Sequence, residues 1–580
     1  MAIDEMTRAA QQPEPLQAPD QSGELVRWVL NLQEEAAKRK KKDANEERWK
    51  EWEEGWWGEN HWPTTMPSYK APVTINTGKT RSLQEISDLT EQPIKIFVTK
   101  DPQNGERDDM VEKAIQAFWH RSFMDYQVML ACYHAWILPC GFIGVFWDKD
   151  KDNGAGQIEC KALHPNTVFP DPDAPDDESW RYVNLLQVMD VTEIRRMWPL
   201  TGADVRPDDS YSTKATGTLW SKMSSAVTGG FSKYLGPLYD KGMNGVQSQG
   251  YLKARAAVIS CWVYDDEEEE TVEETVDPIM GTPLLKSTIR KKYPNGRLIQ
   301  VANDTLLYDG PNPYWGRFPI TRVTLQLHDS FWPPVSCYGD VFELYKAGNK
   351  MDSAVIENAM RLNCGKVIAD ANSGIKPGRY TNSPAEVLLK TPGTNVNIVY
   401  PPAMPPDMVG GGQRMRDYAD QVQGFPSART GQGQGGNVAA ELVETEIGQA
   451  QGLSRLRGRL LHMSVEKVVQ QIMLRMAQFY RTPRMIPHIS GEKWSPVQWD
   501  PRLMGDQKDY MAHVDPTSFS VKSKTMLQRL YLQLAQLGKM PDRDLLKVLE
   551  VPDADEVAGR LEKQLQLQAE ARQRPKKEPV

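Results

Sequence analysis

The sequence predicts an α+β protein of several domains, and three observations carry that expectation. At about 150 residues per domain, 580 residues allow about four domains and more than one sizeable core. Apolar positions stepping by three and four, Val111, Ile115, Phe118, Tyr126, Met129, Tyr133 and Ile137 with Ser122 as the weak member, predict one long amphipathic helix over 108–138. Directly after it, FIGVFWD, the polar turn DKDNGAG and QIECKAL read as a β-hairpin, so the helix has a sheet to meet.

In chain order, residues 1–64 form an arm: a Gln/Pro-rich start, then a helix from about Ser22. Its basic run Lys38, Arg39, Lys40, Lys41 and Lys42 lies among Glu34, Glu35, Glu46 and Glu47, which predicts a solvated helix face. Six of the 17 tryptophans fall here. Trp49, Trp52, Trp56, Trp57 and Trp62 expose too much indole for an isolated arm, so they are expected to pack on the body or on a neighbouring subunit. Asp4, Glu5 and Glu14 and the lack of a short apolar core argue against an ordinary secretory signal. Residues 129–147 carry no Asp, Glu, Lys or Arg, but His134, Pro139, Gly141 and Gly144 favour a buried helix end, a turn and a strand over a membrane span.

A second hairpin is predicted at TIRKKYPNGRLIQV, turning at Pro294-Asn295-Gly296, and the insertion 201–250 and the acidic run Glu267–Glu270 are predicted as surface loops. Val341, Leu344, Gly348, Met351, Val355, Ala359 and Leu362 share a helical stripe over 339–363. Residues 364–406 read as short strands and proline turns, and 407–423 as a short helix bearing Arg414 and Arg416. After the loop FPSARTGQGQGG, the proline-free stretch 437–481 would be about 67 Å long if wholly helical at about 1.5 Å per residue, bent at Gly448, Gly452 and Gly458. Helices near 524–537, 542–550 and 553–573, the last capped by Asp553 with Glu556, precede a tail expected to be disordered.

Composition narrows the function. A net charge of −8, from 69 basic and 77 acidic residues, argues against a protein built to grip nucleic acid. Six cysteines, at 132, 140, 160, 261, 337 and 364, show no C-x-x-C and no metal spacing, so free thiols and a reducing compartment are expected, with no metal and no cofactor. Asn76-Thr77-Gly78-Lys79-Thr80 ends like a phosphate-binding loop, but Val73 stands where its first glycine belongs. Gly431-Gln432-Gly433-Gln434-Gly435-Gly436 matches G-x-G-x-x-G, yet no buried strand precedes it. Asp171, Asp173, Asp176 and Asp177 lack the glycine and the third ligand of a calcium loop, and read as a turn. No H-E-x-x-H and no G-x-S-x-G occurs, so hydrolase readings lack a metal or a nucleophile and the chain is not expected to be an enzyme.

The run KKYPNGRLIQVANDTLLYDGPNPYWGRFPITRV, followed by a Pro-rich turn, Tyr338-Gly339 and the helix with Asn349 and Asn358, resembles the portal proteins of tailed bacteriophages. PVTINTGKTRSLQEISDLTEQPIKIFV and CGFIGVFWDKDKDNGAGQIECKALHPNTVFPDPDAP are similar to that family's early wing and its hairpin with an acid-proline loop. The resemblance spans about residues 65–560 in element order, and its motifs are loose. It implies a wing over 65–338, a first stem helix 339–363, a clip 364–406, a second stem helix 407–424 and a tunnel loop 425–436. The long wing helix and its return would then be 437–514, and a helical crown and tail 515–580.

In that family twelve copies form a ring at one capsid vertex. Double-stranded DNA is packaged through it by a terminase and later ejected, and the tail attaches there. The resemblance thus implies a ring of this chain, with terminase, major capsid protein and scaffold, and head-tail adaptor or tail proteins as partners. DNA passes without sequence readout, no membrane is involved, and the chain resides in the virion, or in host cytoplasm during assembly. Arg429, Gln432, Gln434 and Asn437 would touch DNA weakly from the tunnel loop, with a plain linker as the alternative. Lys366, Arg379 and Lys390 would lie on the clip facing the terminase, and Arg414 and Arg416 on the stem would meet either DNA or neighbouring subunits.

Elementary physics agrees with such a conduit. Two different flanks that bind each other close into a ring when the rotation allows, and each phosphate neutralised inside a channel turns passage into binding. Two other classes stay open: a ring-forming virion adaptor or collar without an inserted clip, and a nucleotide-dependent DNA-handling enzyme, which Val73 opposes.

Overall fold

The computed structural model describes residues 19, 22–59, 61–62, 70, 72–92, 94–101, 106–208, 210–214, 251–276, 283–362, 366–374, 390–399, 404–425, 451–490, 493–499, 510–515, 531–537, 545–546 and 557–560. It contains both helices and sheets, as an α+β chain should. The arm begins with α1 (Ser22–Asp43) and α2 (Glu46–Trp57), followed by α3 (Thr77–Thr90) and strand β1 (Ile96–Asp101).

The helix expected as one piece over 108–138 is two, α4 (Asp109–Arg121) and α5 (Met124–Ile137). Asp108 caps α4 by accepting from the N–H groups of Met110 and Val111. Phe123 then breaks the helix with φ +50°. The weak Ser122 was the sign of this break, and the two stripes do not join: Val111, Ile115 and Phe118 are buried, whereas Tyr126 and Met129 face solvent.

After α5 the chain turns at Pro139-Cys140 into β2 (Gly141–Asp148) and β3 (Gln157–Leu163), the expected hairpin, with Phe142 opposite Leu163. No described helix is long and apolar enough to cross a membrane. Next come β4 (Val168–Pro170), β5 (Tyr182–Asp190), β6 (Arg255–Val263), β7 (Glu268–Val276), β8 (Pro283–Lys291), β9 (Arg297–Ala302), β10 (Thr305–Pro311) and β11 (Ile320–Val323). An antiparallel five-stranded sheet has the order β10-β9-β6-β5-β4, and β11 adds to the edge of β2.

Two expectations fail here for one reason. The turn at Pro294–Gly296 exists, with Gly296 N–H donating to Tyr293 at 3.0 Å, but it does not close a hairpin. Strand β9 pairs with β6 and β10, while β8 pairs with β7, so the acidic run expected as a loop enters a strand, Glu268 opposite Lys291. The backbone register sets Glu268, Glu269 and Glu273 opposite Lys291, Arg290 and Lys286, and opposite charges directly across an antiparallel pair favour such a ladder. Most of the insertion 201–250 lies outside the described residues.

The five-stranded sheet is covered on both faces, which its period of two makes legible. Val183, Trp262 and Leu298 enter the main core. Their neighbours Tyr182, Val263 and Ile299 face the other way and are covered by Leu25, Val26, Val29 and Leu32 of α1. Trp49, Trp52 and Trp56 of α2 are buried in the main core, as the excess of indole required, whereas Trp57 is exposed.

The basic run is only partly a solvated face. Lys40 is fully buried, with Nζ donating to Pro165 O at 2.6 Å and lying 4.2 Å from the Phe169 ring.

The helical region begins with α6 (Gly339–Leu362) and contains strands β12 (Lys366–Ala369) and β13 (Val396–Val399), paired antiparallel. The helix α7 (Gly411–Gln423) and the long α8 (Gly452–Phe479) follow. In α6 the buried side chains are Val341, Phe342, Tyr345, Asn349 and Ser353. The expected stripe holds only in its first turns, because Met351 is exposed and the face that packs includes polar residues. Leu461, Val465, Val468, Ile472 and Met476 sink α8 into the main core, and β14 (Arg484–Ser490), β15 (Lys493–Trp499) and β16 (Met511–Val514) return the chain until β16 pairs with β1. The described C-terminal residues 531–536, 545–546 and 557–560 are helical, and 537 is a turn. The expected residues 437–450 of the long helix, with Gly448, lie outside the described residues.

Candidate functional site at the root of the α6–α7 pair

Helices α6 and α7 pack side by side because small residues let their backbones meet. A Cβ on Gly412 would stand 2.0 Å from the Asp352 carboxylate, and one on Gly348 would stand 3.2 Å from Gly412 O. Arg416 spans the pair and donates to Asp352 at 2.7 Å, both largely shielded from water. The Arg416 guanidinium, expected on the stem to meet DNA or a neighbouring subunit, is engaged with Asp352 within the chain. Arg414 is exposed on the same helix.

Helix α6 is also bound to the segment before α3. Asn349 Oδ1 accepts from Ile75 N–H at 3.1 Å and Ser353 Oγ from Val73 N–H at 3.0 Å. The string resembling a phosphate loop is the start of α3, where Asn76 Oδ1 accepts from Lys79 N–H at 3.2 Å. Gly78 is pressed against Tyr338 and Tyr345, so its glycine serves helix packing. Lys79 Nζ sits 4.1 Å from the Trp57 ring.

At the root of the pair a buried polar network joins α3, α7 and α8. Glu85 is fully buried. It accepts from Arg457 at 3.1 Å and from Ser454 Oγ at 3.0 Å. Arg457 also donates to Gln423 O at 3.1 Å and lies over the Trp136 ring at 4.8 Å. Arg81 grips Asp420 with two bonds of 3.1 and 3.0 Å, and burial raises the Asp420 carboxyl above its usual range against the pull of that guanidinium. Phe425 and Gln451 bound the segment 426–450, so the network clamps both of its ends. Beside it lies an apolar groove of about 440 Å³ lined by Leu325, Leu327, Val422, Leu453 and Leu456.

Of the candidate residues, Arg429, Gln432, Gln434, Asn437 and Arg379 lie outside the described residues. Lys366 begins β12, opposite Val399. Lys390 is exposed and its Nζ donates to Thr394 O at 3.2 Å. The network itself escaped sequence reasoning. Gly78, Ser82, Glu85 and Leu89 share a helical face, and a small or polar residue at each of the first three positions was the available signal. Nothing marked Arg457 among Arg455 and Arg459.

No group of His, Cys, Asp and Glu among the described residues is arranged to hold a metal ion. The acidic loop is a turn tied by cations: Arg181 donates to Asp171 at 2.6 and 2.9 Å and to Asp173 at 2.8 Å, while Lys467 meets Asp177 at 2.6 Å. His134 and His164 stack edge-on at 5.0 Å, and burial, with His164 beside it, pulls His134 down to about 3, so it stays neutral. The five described cysteines are free and buried, and burial pushes their thiols up, Cys132 to about 12. Such thiols are inert.

No protein-family model matches the chain, and no curated protein matches it.

Proposed function

We propose that the protein is a portal protein of a tailed bacteriophage, a ring at one capsid vertex through which double-stranded DNA is packaged and later ejected and to which the tail attaches. One observation carries the reading. Helices α6 and α7 pack as a pair around an inserted excursion containing the β12–β13 ladder, and α7 then leads through 426–450 into the long helix α8, the order of stem, clip, stem, tunnel loop and wing helix that the resemblance implies. The net charge of −8 supports a conduit over a clamp, since an acidic protomer does not hold phosphates. In this reading the ring meets terminase, capsid and scaffold, and adaptor or tail proteins, and works in the virion without catalysis.

Negative-stain imaging and light scattering of the purified chain test it. The expected result is an annular particle with a central opening and a mass of about 790 kDa, twelve copies of 65.7 kDa. Monomers at every concentration and ionic strength would overturn it.

A further inference from the structure

The two helices of the arm rest on different cores. Trp49, Trp52 and Trp56 root α2 in the main core, and Ala44, just before it, is buried there too. The last turn of α1 is held at the same place: Lys40 donates to the carbonyls of Pro165 and Val168, Trp49 Nε1 donates to Ala44 O at 2.8 Å, and Asn45 Nδ2 donates to Pro334 O at 2.7 Å. The earlier turns of α1 belong to a second, smaller core on the far face of the five-stranded sheet, where Leu25, Val29 and Leu32 meet Tyr182, Cys261 and Ile299. Helix α1 is thus anchored at its C-terminal end and laid over the sheet along the rest of its length.

The seat under those turns is imperfect. Val183 and Leu185 enter the main core, so alternation along β5 puts Asn184 on the face beneath α1, and the register sets it between Phe169 and Cys261 of that face. Asn184 is fully buried, yet neither Oδ1 nor Nδ2 finds a hydrogen-bond partner in the protein. Gln33 Oε1 of α1 is shielded and unpartnered as well. The polar tie in this stretch is Tyr182 Oη donating to Leu32 O, at 3.3 Å. Closing α1 therefore strips water from polar groups that gain no bond in return. Burial of Leu25, Val26, Val29 and Leu32 offsets that cost and keeps the helix closed.

We propose that the turns of α1 from Ser22 to Ala37 form a strap that lifts from the five-stranded sheet as one unit while α2 and the rest of the fold stay closed. A segment that buries a face of its own, apart from the main core, is the kind that opens below the free energy of global unfolding. The anchored turn around Lys40 keeps the lifted strap in place to close again. The chain therefore has a second state, in which the sheet face around Tyr182, Asn184 and Ile299 is uncovered and the main core is intact. This strap does not depend on the ring reading, and its failure would leave that reading standing.

The test uses the full chain and a reporter it already carries. Of the five described cysteines, Cys261 lies beneath α1, whereas Cys132, Cys140, Cys160 and Cys337 sit in the main core. Burial pushes all five thiols up, so each reacts with an alkylating reagent only when an opening exposes it. In native buffer, with modification read peptide by peptide by mass spectrometry, Cys261 should react at least about tenfold faster than the other four. Hydrogen exchange should reach the amides of 25–37 before those of 49–56. Leu25→Ala should speed the reaction of Cys261 alone, and Asn184→Leu, which removes the unpartnered amide, should slow it. Equal rates at all five cysteines, in the wild type or in Leu25→Ala, would overturn the strap, and so would exchange of α1 and α2 together.

Discussion

Two buried cations hold two junctions of this molecule, and they are satisfied in different ways. At the root of the α6–α7 pair Arg457 meets a full counter-charge, Glu85, at 3.1 Å inside a network closed by Ser454 and the Gln423 carbonyl. At the arm Lys40 has two carbonyls, Pro165 at 2.6 Å and Val168 at 3.4 Å, and the faces of Trp49, Phe169 and Trp332. Its nearest carboxylate, Glu46, stands 3.6 Å away at the edge of solvent. The first cation has its counter-charge in direct contact, and the second rests mainly on dipoles with a looser carboxylate at 3.6 Å. Burial accordingly pulls the Lys40 ammonium down to about 8 despite the opposing pull of Glu46. One junction should break when a partner is removed, and the other should respond to pH.

The largest expected effect is at the root. Glu85→Ala leaves Arg457 buried without its counter-ion and should destabilise the protein by about 3–5 kcal/mol, read as a lower urea midpoint. A change below about 1 kcal/mol would show that water or another carboxylate replaces Glu85, and would erase the contrast.

The next effect is at the arm, and its sign is opposite to that of a paired lysine. Lys40 titrates near 8 when docked and near 10.5 when free, so between those values the undocked state binds more protons and docking strengthens as pH rises. The full gain is at most about 3.5 kcal/mol, from about 1.4 kcal/mol per pKa unit. Proteolysis within residues 22–57 should slow from pH 7.5 to pH 10, and Lys40→Met should abolish that dependence without weakening docking. Faster cleavage at high pH would reverse the assignment.

The smallest effect is a control two residues away. Lys38 is exposed and pairs with exposed Glu34 at 2.7 Å. Lys38→Ala should leave the urea midpoint and the pH profile unchanged, which would tie the arm's behaviour to burial and not to the charge of the run.

Lys38 and Lys40 also show where the sequence is legible. Both belong to one basic run on a helix, and nothing in composition separates them. Only the register of α1 against β4 buries one of them. The β2–β3 hairpin was readable because its alternation is local, whereas for 364–406 only short strands and proline turns were legible and not the pairing of β12 with β13. The pairing of β9 with β6 was not, since its partner lies over 30 residues upstream and the tempting neighbour β8 is adjacent in sequence. The break at Phe123 was visible only as the weak Ser122, because periodicity records spacing and not a change in helix axis. On α6, Asn349 and Ser353 carry packing that a search for apolar stripes passes over.

The arm's docking site sets a timetable for synthesis. Leu25, Val29 and Leu32 leave the ribosome well before the strands they cover, with Ile259, Ile299 and Val301, which emerge more than 200 residues later. At about 5–20 residues per second, that is a delay of about ten seconds to a minute. Throughout it α1 and the indoles of α2 have nowhere to go. A chaperone that holds apolar segments, or slow translation at low temperature, should therefore govern the yield of soluble protein more strongly than the stability of the finished fold.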